Sequence, residues 1–202
     1  RDGLAGAGAT IVEPLAGLGL GPRLAWYAAA APGGPPAPST AAPTEAVTEL
    51  VRRLSDGAGA LTPGELVAAG RRRLDGPGLY SWWVDEEGAD DLSRGLGEHV
   101  EAGLTYAGLA GATRSRSGRR SGNTLWGRLH GMHLGSRHEF STFRLSLGSI
   151  LAGGRGDAEI DEDHLSAWMH DHLRVIAVPA ADADTLDGLE TEVLAELDPP
   201  LN

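Results

Sequence analysis

The chain has 202 residues, which suits one globular domain with a tail and excludes a large multi-domain machine. Its 17 basic residues, all arginine, face 28 acidic ones for a formal charge of −11, which argues against a wholly basic nucleic-acid coat or a basic membrane-surface module. Cysteine is absent, which excludes disulfide frameworks and thiolate zinc sites and leads us to expect a reducing, cytoplasmic setting.

The chain starts at Arg1 with neither Met nor a signal pattern, so a fragment end is expected there. No run of about 18 apolar residues occurs, so no transmembrane helix is expected and no membrane partner is assigned. Residues 1–43 hold 8 Gly and 7 Pro and predict a low-order tail, because such a backbone cannot bury enough side chain to offset its ordering entropy. From Thr44 the spacing turns helical, with Val47, Leu50, Val51 and Leu54 on one stripe. Thr62-Pro63-Gly64-Glu65 reads as a capped start of a second short helix, expected to run to about Leu74. These two helices make an extension over residues 44–75.

Beyond Gly78 the period becomes two, with Leu79, Ser81 and Trp83 on one side and Tyr80, Trp82 and Val84 on the other, which predicts a strand. Residues 85–101 read as an acidic, glycine-containing loop, and Leu104 to Leu109 as a second strand pairing antiparallel with the first. Their tyrosines, Tyr80 and Tyr106, would then lie close together. Helical spacing resumes over Thr124 to Leu134, Phe140 to Leu151 and Leu165 to Leu173. Arg174 to Pro179 predicts a strand, and Asp184 to Leu197 a last helix stopped by Pro199 and Pro200.

Two features carry chemistry. Residues 102–138 contain no Asp or Glu but hold Arg114, Arg116, Arg119, Arg120, Arg128 and Arg137, a candidate anion surface inside an acidic chain. In the last helix, Leu186, Leu189, Val193 and Leu197 form an apolar stripe and Glu190 falls within it, a costly place for a carboxylate unless it is paired or holds a metal. His164, His170 and His172 with Asp161, Asp163 and Asp171 read as an acidic helix start and a basic helix end rather than a metal cluster.

The order Gly78-Leu79-Tyr80, Tyr106-Ala107-Gly108, Arg128 in Leu125-Trp126-Gly127-Arg128-Leu129, and Glu190 followed twelve residues later by Asn202 across Pro199 and Pro200 resembles the GIY-YIG nuclease family over residues 76–202. Leu79 and Ala107 stand where that family has isoleucines. The 22 residues from Tyr106 to Arg128 imply an insertion over Gly111 to Asn123, and Arg116 is the competing arginine. Position 132 is Met where the family often has His or Tyr, so either His133 or His130 serves or the role is vacant.

The resemblance implies an α/β (α+β) fold, a small three-stranded antiparallel sheet flanked by helices, preceded here by two short helices and the tail. It implies hydrolysis of DNA phosphodiester bonds with one Mg2+ or Mn2+. Glu190 would be the metal ligand and Arg128 the phosphate clamp. Tyr80 or Tyr106 would orient or deprotonate water, and Asn202 would tie the chain end to the sheet. Arg114, Arg116, Arg119 and Arg120 would track the DNA backbone. The competing readings are a non-catalytic nucleic-acid-binding module on the same fold and an acidic protein-interaction domain.

Overall fold

The computed structural model describes residues 44–111, 122–181 and 183–202, which fall in the unit Pro38–Asn202. The expected tail, and the arginines at 114, 116, 119 and 120, lie outside the described residues. A three-stranded antiparallel sheet is flanked by helices, the expected class. Its strands are β1 (Gly78–Val84), β2 (Gly103–Ala110) and β3 (Leu173–Pro179), in the order β2-β1-β3. β1 is central, with Tyr80 opposite Gly108 on β2 and Ala177 on β3.

A central strand has no solvent side, and the alternation in β1 divides two apolar cores between its faces. Tyr80, Trp82 and Val84 pack in the core that holds Leu125, Leu129, Phe143, Leu147, Leu165 and Trp168. Leu79 joins Val47, Leu54, Leu109, Val178, Leu186 and Val193 in the other. Helices α1 (Glu45–Leu54) and α7 (Ala183–Leu197) supply that second core. Between α1 and α2 (Pro63–Ala69), Leu61 exchanges both backbone hydrogen bonds with Val175 of β3, at 2.9 and 2.7 Å. The helices ahead of the family resemblance therefore share the sheet and its core.

Local chemistry sets the element ends. Thr44 caps α1, and Thr62 and Glu65 form a reciprocal capping box at α2. α2 stops at Ala69, earlier than expected, because Gly70 turns to φ +75° and the chain continues as a 3-10 turn, Arg71–Arg73. The expected loop over 85–101 is instead mostly helix α3 (Glu86–Leu96). Asp85 accepts from the Gly88 amide at 2.8 Å to start it, and Gly97 in the left-handed region ends it. Gly95 lets α3 lie against α5 (Thr142–Arg155), since a Cβ there would collide with the Ile150 carbonyl.

Helix α5 begins at Thr142, capped by Ser141, so Phe140, read as part of its apolar stripe, ends a preceding 3-10 turn and is 56% exposed. Helix α6 (Glu162–His172) is capped by Asp161, which accepts from the His164 amide at 2.9 Å, as the acidic run there predicts. No helix is long and apolar enough to cross a membrane, among the described residues.

Ser81 ties the extension to the sheet. Its fully buried hydroxyl donates to the Leu54 carbonyl at the end of α1 at 2.7 Å and accepts from the Trp83 indole at 3.1 Å. Ser81→Ala leaves a carbonyl and an indole N–H without that partner, so it is expected to lower unfolding free energy by about 1–3 kcal/mol in a urea titration. An unchanged midpoint would show that α1 is held by apolar packing alone.

Candidate active site

The two strand tyrosines meet on one face of the sheet, with ring centroids 6.4 Å apart. Tyr80 is buried, and Tyr106 is half-buried and stacks on Phe143 at 4.5 Å. Both motif glycines are steric requirements. A Cβ on Gly108 would sit 2.5 Å from the Tyr80 hydroxyl, which lies over that residue across the ladder. A Cβ on Gly78 would sit 2.5 Å from Leu125 Cδ1 and from the Val178 carbonyl oxygen, closing the space needed by the helix that carries Arg128.

That helix, α4 (Gly127–His133), is wound as a π-helix. The Leu125 amide donates to the Gly76 carbonyl at 2.9 Å and the Trp126 amide to the Leu74 carbonyl at 2.8 Å. The amides just ahead of α4 are thus satisfied by the chain that enters β1, which fixes the helix relative to Tyr80. At its far end the Leu134 amide bonds the Leu129 carbonyl, five residues back. In π winding five residues make about one turn, as four do in an α-helix. His133 therefore lies one turn from Arg128 despite being five residues away, and position 132 can be Met. His130, the other candidate, is exposed and stacks on Trp126 at 4.4 Å.

His133 is 1% exposed and uses both ring nitrogens, Nε2 with the Tyr80 hydroxyl at 2.8 Å and Nδ1 with Ser141 Oγ at 2.7 Å. Burial, aided by the Arg128 charge, pushes its pKa down to about 3. Burial also raises the Tyr80 phenol well above its ordinary value, with Tyr106 and Glu190 adding to the effect and Arg128 opposing it. Tyr80, Tyr106, Arg128, His133 and Glu190 thus share one electrostatic neighbourhood.

Arg128 is half-buried, and its Nε has no hydrogen-bond partner. Its Nη1 approaches only the Met132 sulfur, at 3.7 Å, and it makes no ion pair among the described residues. Glu190 is half-buried on α7 beside Leu186 and Val193, which are fully inside. Asn202 clamps the chain end to β2, its Oδ1 accepting from the Ala107 amide and its Nδ2 donating to the Ala107 carbonyl, each at 2.9 Å. The Leu201 amide adds a bond to the Thr105 carbonyl at 3.0 Å. Tyr106 lies between those anchored residues.

The donor set fits one hard divalent cation. Glu190 offers carboxylate oxygens, and it belongs to no group of three potential ligands among the described residues. Carboxylate oxygens are the donors that hard divalent cations take, with waters filling the remaining places. The one such group, His138, Glu139 and Glu162, is better explained as a brace. Glu162 Oε2 accepts from the fully buried Arg144 at 2.7 and 2.9 Å, and Oε1 accepts from the His138 amide at 2.7 Å and contacts its ring Nδ1 at 2.7 Å. Exposed Arg137 takes Glu139 at 3.1 Å. Sequence reasoning missed Ser141 and this brace, because their partners lie 8 to 24 residues away and no periodicity marks them.

The family model of the GIY-YIG catalytic domain matches residues 78–202, more than half of the chain, and the chain belongs to that family. No curated protein and no solved structure matches it.

His133 gives the site an acid sensitivity of definite sign. The folded pKa is depressed to about 3, so between about pH 6.5 and pH 3 the unfolded chain binds a proton that the folded chain excludes, and stability falls as pH falls through that window. His133→Asn is expected to flatten the loss of unfolding free energy between pH 7 and pH 4 by about 1–3 kcal/mol relative to the parent. Parallel curves for the two proteins would place the acid sensitivity elsewhere.

Proposed function

We propose that this member of the GIY-YIG family is a divalent-metal-dependent endonuclease that hydrolyses phosphodiester bonds in DNA. The observation that carries the reading is Arg128, a half-buried guanidinium with an unpartnered Nε and no counter-ion among the described residues, within electrostatic reach of the Tyr80 phenol. A half-buried cation without an anion loses part of its hydration uncompensated, and a phosphate diester supplies the missing acceptors in the planar geometry a guanidinium prefers.

The residues divide the work of an in-line displacement, in which a water oxygen bonds to phosphorus as the ester oxygen leaves. Arg128 binds the phosphate and offsets the charge that builds on its oxygens. Glu190 would hold one Mg2+ or Mn2+; when bound, such an ion polarises a phosphate oxygen and makes water a stronger acid. Tyr80, buried with a raised pKa, is a poor base and orients its neighbour. Tyr106 is half-buried and is the phenol placed to orient or deprotonate the attacking water. Arg114, Arg116, Arg119 and Arg120 supply backbone affinity without sequence selectivity. A cytoplasmic location goes with the absence of cysteine.

Plasmid DNA incubated with Mg2+ or Mn2+ tests the reading. The parent is expected to nick or linearise it, and Glu190→Gln to lose at least about 100-fold in rate while remaining folded, since one anionic ligand is lost without emptying core volume. Full activity of the variant at saturating metal would make the carboxylate structural. Salt-dependent binding by the parent without cleavage would identify a non-catalytic module instead.

Replacing Arg114, Arg116, Arg119 and Arg120 together with Ala is expected to weaken DNA binding and reduce the slope of log K against log salt by about 3–4. Arg128→Ala should instead act mainly on the rate. An unchanged salt slope in the quadruple variant would move the DNA path away from this insertion.

A further inference from the structure

The geometry points to Ser141 as a positioning residue. By donating its hydroxyl proton to Nδ1 of His133, it fixes the tautomer in which Nε2–H donates to the Tyr80 hydroxyl. Its consequence for rate rests on the nuclease reading above.

Donor counting sets the direction. Ser141 is 3% exposed and caps α5, its Oγ accepting from the Arg144 amide at 3.0 Å. One hydroxyl proton remains to be placed, and His133 Nδ1, at 2.7 Å, is its one acceptor among the described residues. With the opposite tautomer, Nδ1–H and the Arg144 amide would both donate to Oγ, leaving the serine proton buried without an acceptor. A doubly protonated ring is disfavoured by burial and by Arg128.

Nε2 therefore carries the hydrogen, and the Tyr80 oxygen, 2.8 Å away, accepts it. The Tyr80 hydroxyl cannot also donate to that nitrogen, so its own proton turns away from His133, and Tyr106 is the neighbouring phenol, with ring centroids 6.4 Å apart.

The serine is itself held in place. The turn ahead of it, His138–Phe140, is anchored by the His138 amide on Glu162, which the buried Arg144 grips from α5. The Ser141 amide in turn donates to the His138 carbonyl at 3.0 Å. A rigid cap, rather than a mobile hydroxyl, thus faces His133.

The ring nitrogen shifts of His133 in the 15N-labelled full chain at neutral pH read the tautomer directly, with no need for activity. Nε2 is expected to bear the proton and Nδ1 to be bare; the reverse assignment overturns the proposal. Ser141→Ala is expected to give a mixture of tautomers and to lower kcat for plasmid cleavage at least about tenfold with KM unchanged. Ser141→Thr, which restores the hydroxyl and the cap, is expected to recover the single tautomer and most of the lost rate. If Ser141→Ala lowers thermal stability but leaves tautomer and kcat as in the parent, Ser141 is only a helix cap and the proposal fails. A parent that shows the expected tautomer but cleaves nothing supports the Ser141–His133 contact and ends the nuclease reading.

Discussion

The site depends on one close approach, the Tyr80 hydroxyl lying over Gly108 across the β1–β2 ladder. Any side chain at 108 would push the phenol off the sheet, and with it would go the 2.8 Å contact to His133. The two motif tripeptides are thus one packing unit. The tyrosine of the first fills the space left by the glycine of the second, and the glycine of the first makes room for Leu125 beneath the Arg128 helix. Polar groups buried in this way hold a unique arrangement only when each has a partner. Here His133 has two, and of the buried polar atoms left without one, Trp82 Nε1, Thr105 Oγ1 and Arg128 Nε, the last belongs to the side chain suited to an anion.

Charge balance at the site follows from burial. Neutral His133 beside Arg128 avoids placing two cations together, and the same desolvation keeps the Tyr80 phenol protonated. The inner part of the site therefore presents one fixed positive charge, with Glu190 opposing it within electrostatic reach of Tyr80. A neutral imidazole can serve as a directed hydrogen-bond donor, whereas an imidazolium would compete with Arg128 for the phosphate.

Much of the sheet was legible in the sequence because its signals are local. Period-two alternation marks β1, and the Thr62 capping box and the Asp161 cap each span four residues. The Tyr80, Tyr106, Arg128 and Glu190 neighbourhood was legible through order and spacing. Helix α3 was not, because it contains Gly88 and Gly95, residues that lower helix propensity. Their presence reflects tertiary contact: Gly88 packs against Val84 and His172, and Gly95 against Ile150. Phe140 fits the apolar spacing of α5 yet lies outside, where the Arg137 guanidinium sits 5.1 Å from its ring. The Ser141 cap moves the helix start past it.

The π winding of α4 is the least legible element and the most consequential. A side chain at position 132 in an α-helix would sit where His133 now sits, so sequence spacing alone leaves that place to a methionine. The extra residue in the turn makes the register follow the tertiary contacts: Leu129 and His133 are both buried, and His133 is held between Tyr80 and Ser141. A π turn weakens backbone hydrogen bonding, and such turns persist where side-chain contacts offset that loss. In α4 the offset is identifiable, two short bonds to the imidazole and the tie of the preceding amides to Leu74 and Gly76. Those same contacts hold His133 against Tyr80 and keep Arg128 within electrostatic reach of it, so the winding of the helix and the geometry of the site have a common cause.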